Sequence, residues 1–145
     1  MSENISELTD LLRKLSAVNS DIEGSAIVSV QGLPICSVLS RDVNDGIVSA
    51  MSAAIQSVSE RAVEELDRGN LKRILIEGVS GIIILSKAGE NAILCTLCHA
   101  NASLGMVFLN IQSVANRIAA LLDWMWYFLF FKSLKFKALN QSTKY

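Results

Sequence analysis

The stretch CTLCH at residues 95–99 sets two thiols three residues apart beside an imidazole. That spelling attaches a c-type haem through two thioethers and an axial histidine. The chemistry depends on what carries Cys95, Cys98 and His99. The surrounding run "NAILCTLCH" is apolar and reads as a strand. In a strand, residues i and i+3 point to opposite faces, so the two thiols do not meet one haem edge. A structural zinc site takes its ligands as two close pairs on turns. Here Cys36 is the only further thiol and His99 the only histidine, which leaves one close pair. Neither metal nor cofactor is therefore expected. Three cysteines read instead as small buried residues of a chain kept reduced.

Nucleophilic catalysis has equally little to work with. Cys98 and His99 are sequence neighbours whose side chains diverge in a strand, and the chain has no Gly-x-Ser-x-Gly elbow. Glu60, Glu64, Glu65 and Asp67 lie in a helical run beside Arg61 and Arg68, where surface pairs at i to i+4 explain them. No enzyme is expected.

The elements that position these residues follow from periodicity. With 145 residues, 51% hydrophobic and 19% charged, the chain suits one domain with one core rather than disorder. A net charge of −1 gives no polyanion-binding signature, so nucleic acid is excluded as an expected partner. The opening "MSENISELTD" lacks a basic region followed by an apolar one, which predicts a cytoplasmic location.

Leu8, Leu11, Leu12, Leu15 and Val18 recur at helical spacing, predicting a helix over 4–19 with Ser2 as its cap. "SAIVSV" and "ICSVLS" flank "QGLP", a hairpin with strands near 24–31 and 34–40. The segment 41–70 is a long helix, stopped at Gly69-Asn70. One stripe of it is apolar: Ile47, Met51, Ala54, Val58, Ala62 and Leu66, widened by Val48, Ile55 and Val63. Between lies a small, weakly polar stripe that includes Ser49, Ser52, Ala53, Gln56 and Glu60. That stripe suits either the close approach of a sheet or a partner helix. Three short-linked runs at 71–78, 81–88 and 91–99 predict an antiparallel meander. Charges at the start of the first run suit a sheet edge. Helical spacing then returns from Leu104 to Leu122, with Asn101 or Ser103 as cap. The order is αββαβββα, an α+β chain, without repeat or P-loop.

The strings "GSAIVSVQGLPICSV", "LIEGVSGIIILSKAG" and "AILCTLCHANASLGMVFLNIQSVANRI" resemble the roadblock, or dynein light chain-like, family over about residues 4–122. Asn101, Leu104 and Gly105 correspond to an Asn-Leu-Gly string common in that family, with two residues inserted or Ser103 in the Asn place. The resemblance implies a five-stranded antiparallel sheet, the long middle helix on one face and the first and last helices on the other, in profilin-like layering. It implies pairing with a second copy or a related roadblock chain, with the strand from Leu71 meeting its counterpart and the middle helices side by side. It also implies a non-catalytic platform that binds and regulates a Ras-like small GTPase, as activator or scaffold. On this reading the interface residues are Ser49, Ser52, Ala53, Gln56, Glu60, Leu71, Arg73 and Leu75, and Ala53→Arg splits the pair.

The tail from 123 to 145 departs from the family pattern, so the domain is assigned to 1–122. The uninterrupted apolar run from Trp124 to Phe131 falls short of the roughly 20 residues that cross a bilayer. Aromatic residues followed by lysines suit contact with a membrane surface through Trp124, Trp126, Phe128, Phe131, Lys132 and Lys135. That gives an alternative function, a membrane-associated adaptor. A continuation of the last helix, a partner-binding segment or a sequence foreign to the domain are the other readings of the tail.

Overall fold

A computed structural model describes residues 2–142. Helix α1 (Ser2–Val18) precedes a hairpin of β1 (Ile22–Ser29) and β2 (Pro34–Val38). Helix α2 (Asp45–Glu65) leads to the meander β3 (Arg73–Gly78), β4 (Gly81–Lys87) and β5 (Ala92–His99), and α3 (Leu104–Ser142) closes the chain. The five strands form one antiparallel sheet in the order β2-β1-β5-β4-β3. Inserting β5 beside β1 places the two halves of the chain in one sheet and leaves β2 and β3 as its edges.

Alternation along the strands builds two cores. Ile27, Ile82, Ile84, Leu94 and Cys98 face Leu8, Leu12 and Leu15 of α1 and Val107, Ile111 and Ile118 of α3. Ala26, Val28, Leu85, Ile93 and Cys95 face Val48 and Ile55 of α2. The layering is therefore α2, sheet, then α1 with α3, as the roadblock resemblance implies.

Local boundaries differ from the periodicity in instructive places. Helix α1 already includes Ser2 rather than being capped by it. Asn44 caps α2, its side chain accepting from the Ile47 amide at 3.0 Å. The helix stops before Gly69, at Glu65, because Asp67 takes a left-handed φ of 52°. The Arg68 amide then donates to the Val63 carbonyl at 2.7 Å and the Asp67 amide to Glu64 at 3.2 Å, a Schellman closure with aspartate where glycine is usual. At the hairpin tip, Gly32 takes a φ of 93° beside Ala50 and Ala53 of α2. Ser103 precedes α3, and its amide is held by the Asp21 carboxylate at 3.0 Å. The last helix runs without a break into the tail.

An uncovered face from the middle helix to the sheet edge

The CTLCH string lies on β5, and its two thiols belong to different cores: Cys95 faces α2 and Cys98 faces α1 and α3. Burial pushes the Cys95 thiol up, with a hydrogen bond from Ser52 opposing it. Burial, together with the nearby Asp21 and Glu23 charges, pushes Cys98 up to about 11. Such thiols are protonated and poor nucleophiles at neutral pH. His99 stands at the strand end with Nδ1 2.6 Å from the Glu23 carboxylate, a surface pair that orients no nucleophile. Cys36, the third thiol, sits on β2, also pushed up by burial. Among the described residues no group of three His, Cys, Asp or Glu side chains is placed to hold a metal.

The carboxylates at the end of α2 are surface groups. Glu65 pairs with Arg61 at 3.9 Å, while Glu60 accepts from Gln56 at 3.1 Å and pairs with Lys87 of β4 at 3.9 Å. Glu64 and Asp67 join Glu60 and Glu90 around an open acidic hollow where α2 turns toward β3.

The middle helix carries the main correction to the sequence assignment. Spacing leaves the stripe of Ser49, Ser52, Ala53, Gln56 and Glu60 open to the sheet or to a partner helix, and the roadblock resemblance sets it toward the partner. In the structure Ser49, Ser52 and Gln56 are buried in the chain itself. Their polar atoms are satisfied locally: the Ser49 hydroxyl donates to the Asp45 carbonyl at 2.7 Å, and Gln56 Nε2 to Glu60. Small satisfied side chains let the helix sit close to the sheet. Ala53 is half-buried at the hairpin tip, and only Glu60 of the five lies exposed. The large apolar residues are turned to solvent instead: Ile47 is 58% exposed, Met51 52%, Val58 70% and Leu66 65%.

This outward stripe is continuous with the open edge of the sheet. Met51, Val48 and Ile55 line a small apolar cavity with Ile83 of β4, Leu85 and Leu97. Next to Ile83 in register comes Ile76 of β3, about one-third exposed, with Ile74 paired to Leu85. The other edge of β3 has no strand partner among the described residues. A water-facing apolar stripe of this size on one helix, beside an unpaired strand, marks an interaction surface rather than a solvated face. The three strand residues expected at the interface lie on or just before this strand. Leu71 is half-buried before it, and Leu75 is exposed on the face opposite α2. Arg73 is on that same face, its guanidinium stacked 4.1 Å from the Phe108 ring of α3, so it ties the edge to the last helix. Ile47, Met51 and Val58 are exposed residues that the expected interface set leaves out; their signal was an apolar stripe too wide for a helix that needs only one to fold.

The tail residues stand on α3 beyond the core. Trp124, Phe128 and Phe131 are more than half exposed, Trp124 stacks on Phe128 with centroids 5.9 Å apart, and Lys132 Nζ lies 5.3 Å over the Phe128 ring. Lys135 is exposed as well.

Comparison with known proteins places this geometry. The Roadblock/LC7 domain family matches residues 8–97. A protein of Methanocaldococcus jannaschii named only as uncharacterized, MJ0310, is 35% identical over 100 residues, covering 69% of this chain and 87% of its own length. Among solved structures, MglB of Myxococcus xanthus superposes with a TM-score of 0.75 at 13% identity, over 82% of this chain and 90% of that one. A Roadblock/LC7 domain from Streptomyces avermitilis gives 0.73 at 17% identity, over 77% and 94%.

Proposed function

The chain belongs to the Roadblock/LC7 domain family, and on that premise we propose that it works as a paired, non-catalytic platform that binds and regulates a Ras-like small GTPase. The observation that carries the reading is the apolar face running from α2 to the open edge of β3. Pairing of β3 with its copy in antiparallel fashion sets a twofold axis perpendicular to the sheet. Both α2 helices then fall on one face, side by side, and Ile47, Met51 and Val58 of each cover those of the other. Both α1 and α3 layers fall on the opposite face. The same symmetry occupies the bare edge, which would otherwise template aggregation.

Regulation of a small GTPase is what the family resemblance implies, and the fold shared with MglB supports it. A platform of this kind contributes surface rather than reacting groups, in keeping with thiols pushed up by burial and α2 carboxylates that lie exposed on the surface. The test is binding of the full chain to a panel of Ras-like GTPases, each loaded with GDP or a non-hydrolysable GTP analogue. Binding that depends on the nucleotide supports the reading, and the rate of GTP hydrolysis with and without the chain separates an activator from a passive scaffold. A chain that is monomeric at micromolar concentration and binds neither form of any GTPase overturns it.

A further inference from the structure

The last helix outruns the domain it belongs to. Up to Leu122 its inward side chains are core: Val107, Ile111, Ala115 and Ile118 are buried, and Gly89 at the β4–β5 turn lies against Ala119 and Asp123. Met125 and Leu129 still reach a groove with Ile5, Pro34 and Ile35. Around and beyond these two, Trp124, Tyr127, Phe128, Phe130, Phe131 and Phe136 are each more than half exposed. At 100° per residue Trp124, Tyr127, Phe128, Phe130 and Phe131 share one arc of about 160°, with Phe136 on the far side. A helix that lies in a membrane surface presents one broad apolar face of this kind. Rings along it, tryptophan and tyrosine among them, fit the boundary between lipid headgroups and acyl chains.

Charge points to the kind of lipid. From Trp124 to Tyr145 the chain has four lysines and no acidic residue, whereas the preceding residues hold nine basic against fourteen acidic groups. The domain is thus repelled by an anionic surface while its tail is drawn to one. Lys132 already stands over the Phe128 ring, so the charge is presented next to the rings. By length and composition α3 passes as a membrane span. Its first half is committed to the domain core, however, and the free apolar run of Trp124–Phe131 rises only about 12 Å against a hydrocarbon core of about 30 Å.

We propose that residues 124–141 of α3 are an interfacial anchor that lies in the surface of an anionic membrane, rings sunk to the acyl boundary and lysines at the phosphates. The anchor does not depend on the GTPase reading. In the paired molecule both anchors leave from the α1–α3 face, and that doubling alone rests on the pairing proposed above.

The two tryptophans of the chain are both in this segment, Trp124 and Trp126, so tryptophan emission reports on the tail alone. The full chain is titrated with phosphatidylcholine vesicles with and without phosphatidylserine. A blue shift with the anionic vesicles, weakened by salt, is expected. The full-length variant K132Q/K135Q/K137Q, altered only at exposed lysines, is expected to lose affinity on the order of 100-fold. F128S/F130S/F131S is expected to abolish the shift, with the melting transition of the domain retained. Emission unmoved by anionic vesicles overturns the proposal. So does equal binding to both vesicle types by the wild type and the lysine variant. A phenylalanine variant that loses oligomeric mass without lipid, in a chain that binds no vesicles, shows that a second copy covers the tail instead and equally overturns it.

Discussion

Replacing Val58 by arginine tests which face of α2 meets the partner. Val58 is 70% exposed, so it gives little to the fold of its own chain. In a twofold pair it is covered twice. Covering the exposed part of one valine contributes about 1 kcal/mol, hence about 2 kcal/mol per pair. Arginine forfeits this and sets two unpaired guanidinium groups into the contact, each costing about 3 kcal/mol if fully desolvated and less if the ends reach water. With the arginine ends partly hydrated, at about 1 kcal/mol each, a loss of about 4 kcal/mol follows, on the order of a thousandfold in dissociation constant. Sedimentation velocity at micromolar concentration should show wild type near twice the 15.8 kDa chain mass and Val58→Arg at the chain mass. The melting transition of the variant, measured by circular dichroism, should remain. Ser52→Arg provides the contrast, since Ser52 is buried between α2 and Cys95. There the charge falls inside one chain, and loss of the fold itself is expected. Val58→Arg sedimenting as wild type, or Ser52→Arg folding normally, would refute the assignment of faces. Ala53→Arg, the change that spacing alone recommends, meets the hairpin tip at Gly32 rather than the exposed stripe.

Three further outcomes are open to measurement. Asn44→Ala removes the acceptor for the Ile47 amide and should cost about 1 kcal/mol in denaturant unfolding. Gly24→Ala places a methyl 2.7 Å from the Val38 carbonyl oxygen, so the β1–β2 pair must shift, with an expected loss of about 1–3 kcal/mol. Cys98 titrates at about 11 in the fold and near 8.5 in an unfolded chain. Because the folded value is the higher, its contribution is complete below the unfolded value and is lost as pH rises toward 11. Unfolding free energy should therefore decline across that alkaline window in wild type, and decline less in Cys98→Ala.

The order of elements was legible because each carries its own period. Alternating strands around QGLP and helical spacing in α1, α2 and α3 reproduce the observed order, and opposite faces for Cys95 and Cys98 follow from the period of a strand. The facing of α2 was misread for a physical reason. Apolar residues are ordinarily inside, and Ser49, Ser52 and Gln56 look like surface, yet small side chains bonded to their own helix or to Cys95 pack closely on a sheet. Ile47, Met51 and Val58 then read as core when they are the uncovered face. The stop at Asp67 was hidden because glycine is the usual left-handed residue at a helix end and Gly69 stands two residues on. Continuation of α3 was there to be read, since no glycine or proline follows Gly105.

The most direct test combines pairing with GTPase binding. Sedimentation equilibrium of the full chain with a Ras-like GTPase held in its GTP form measures the mass of the complex. A paired platform predicts a complex containing two copies of this chain. A complex containing one copy, or a GTPase that sediments alone, contradicts it.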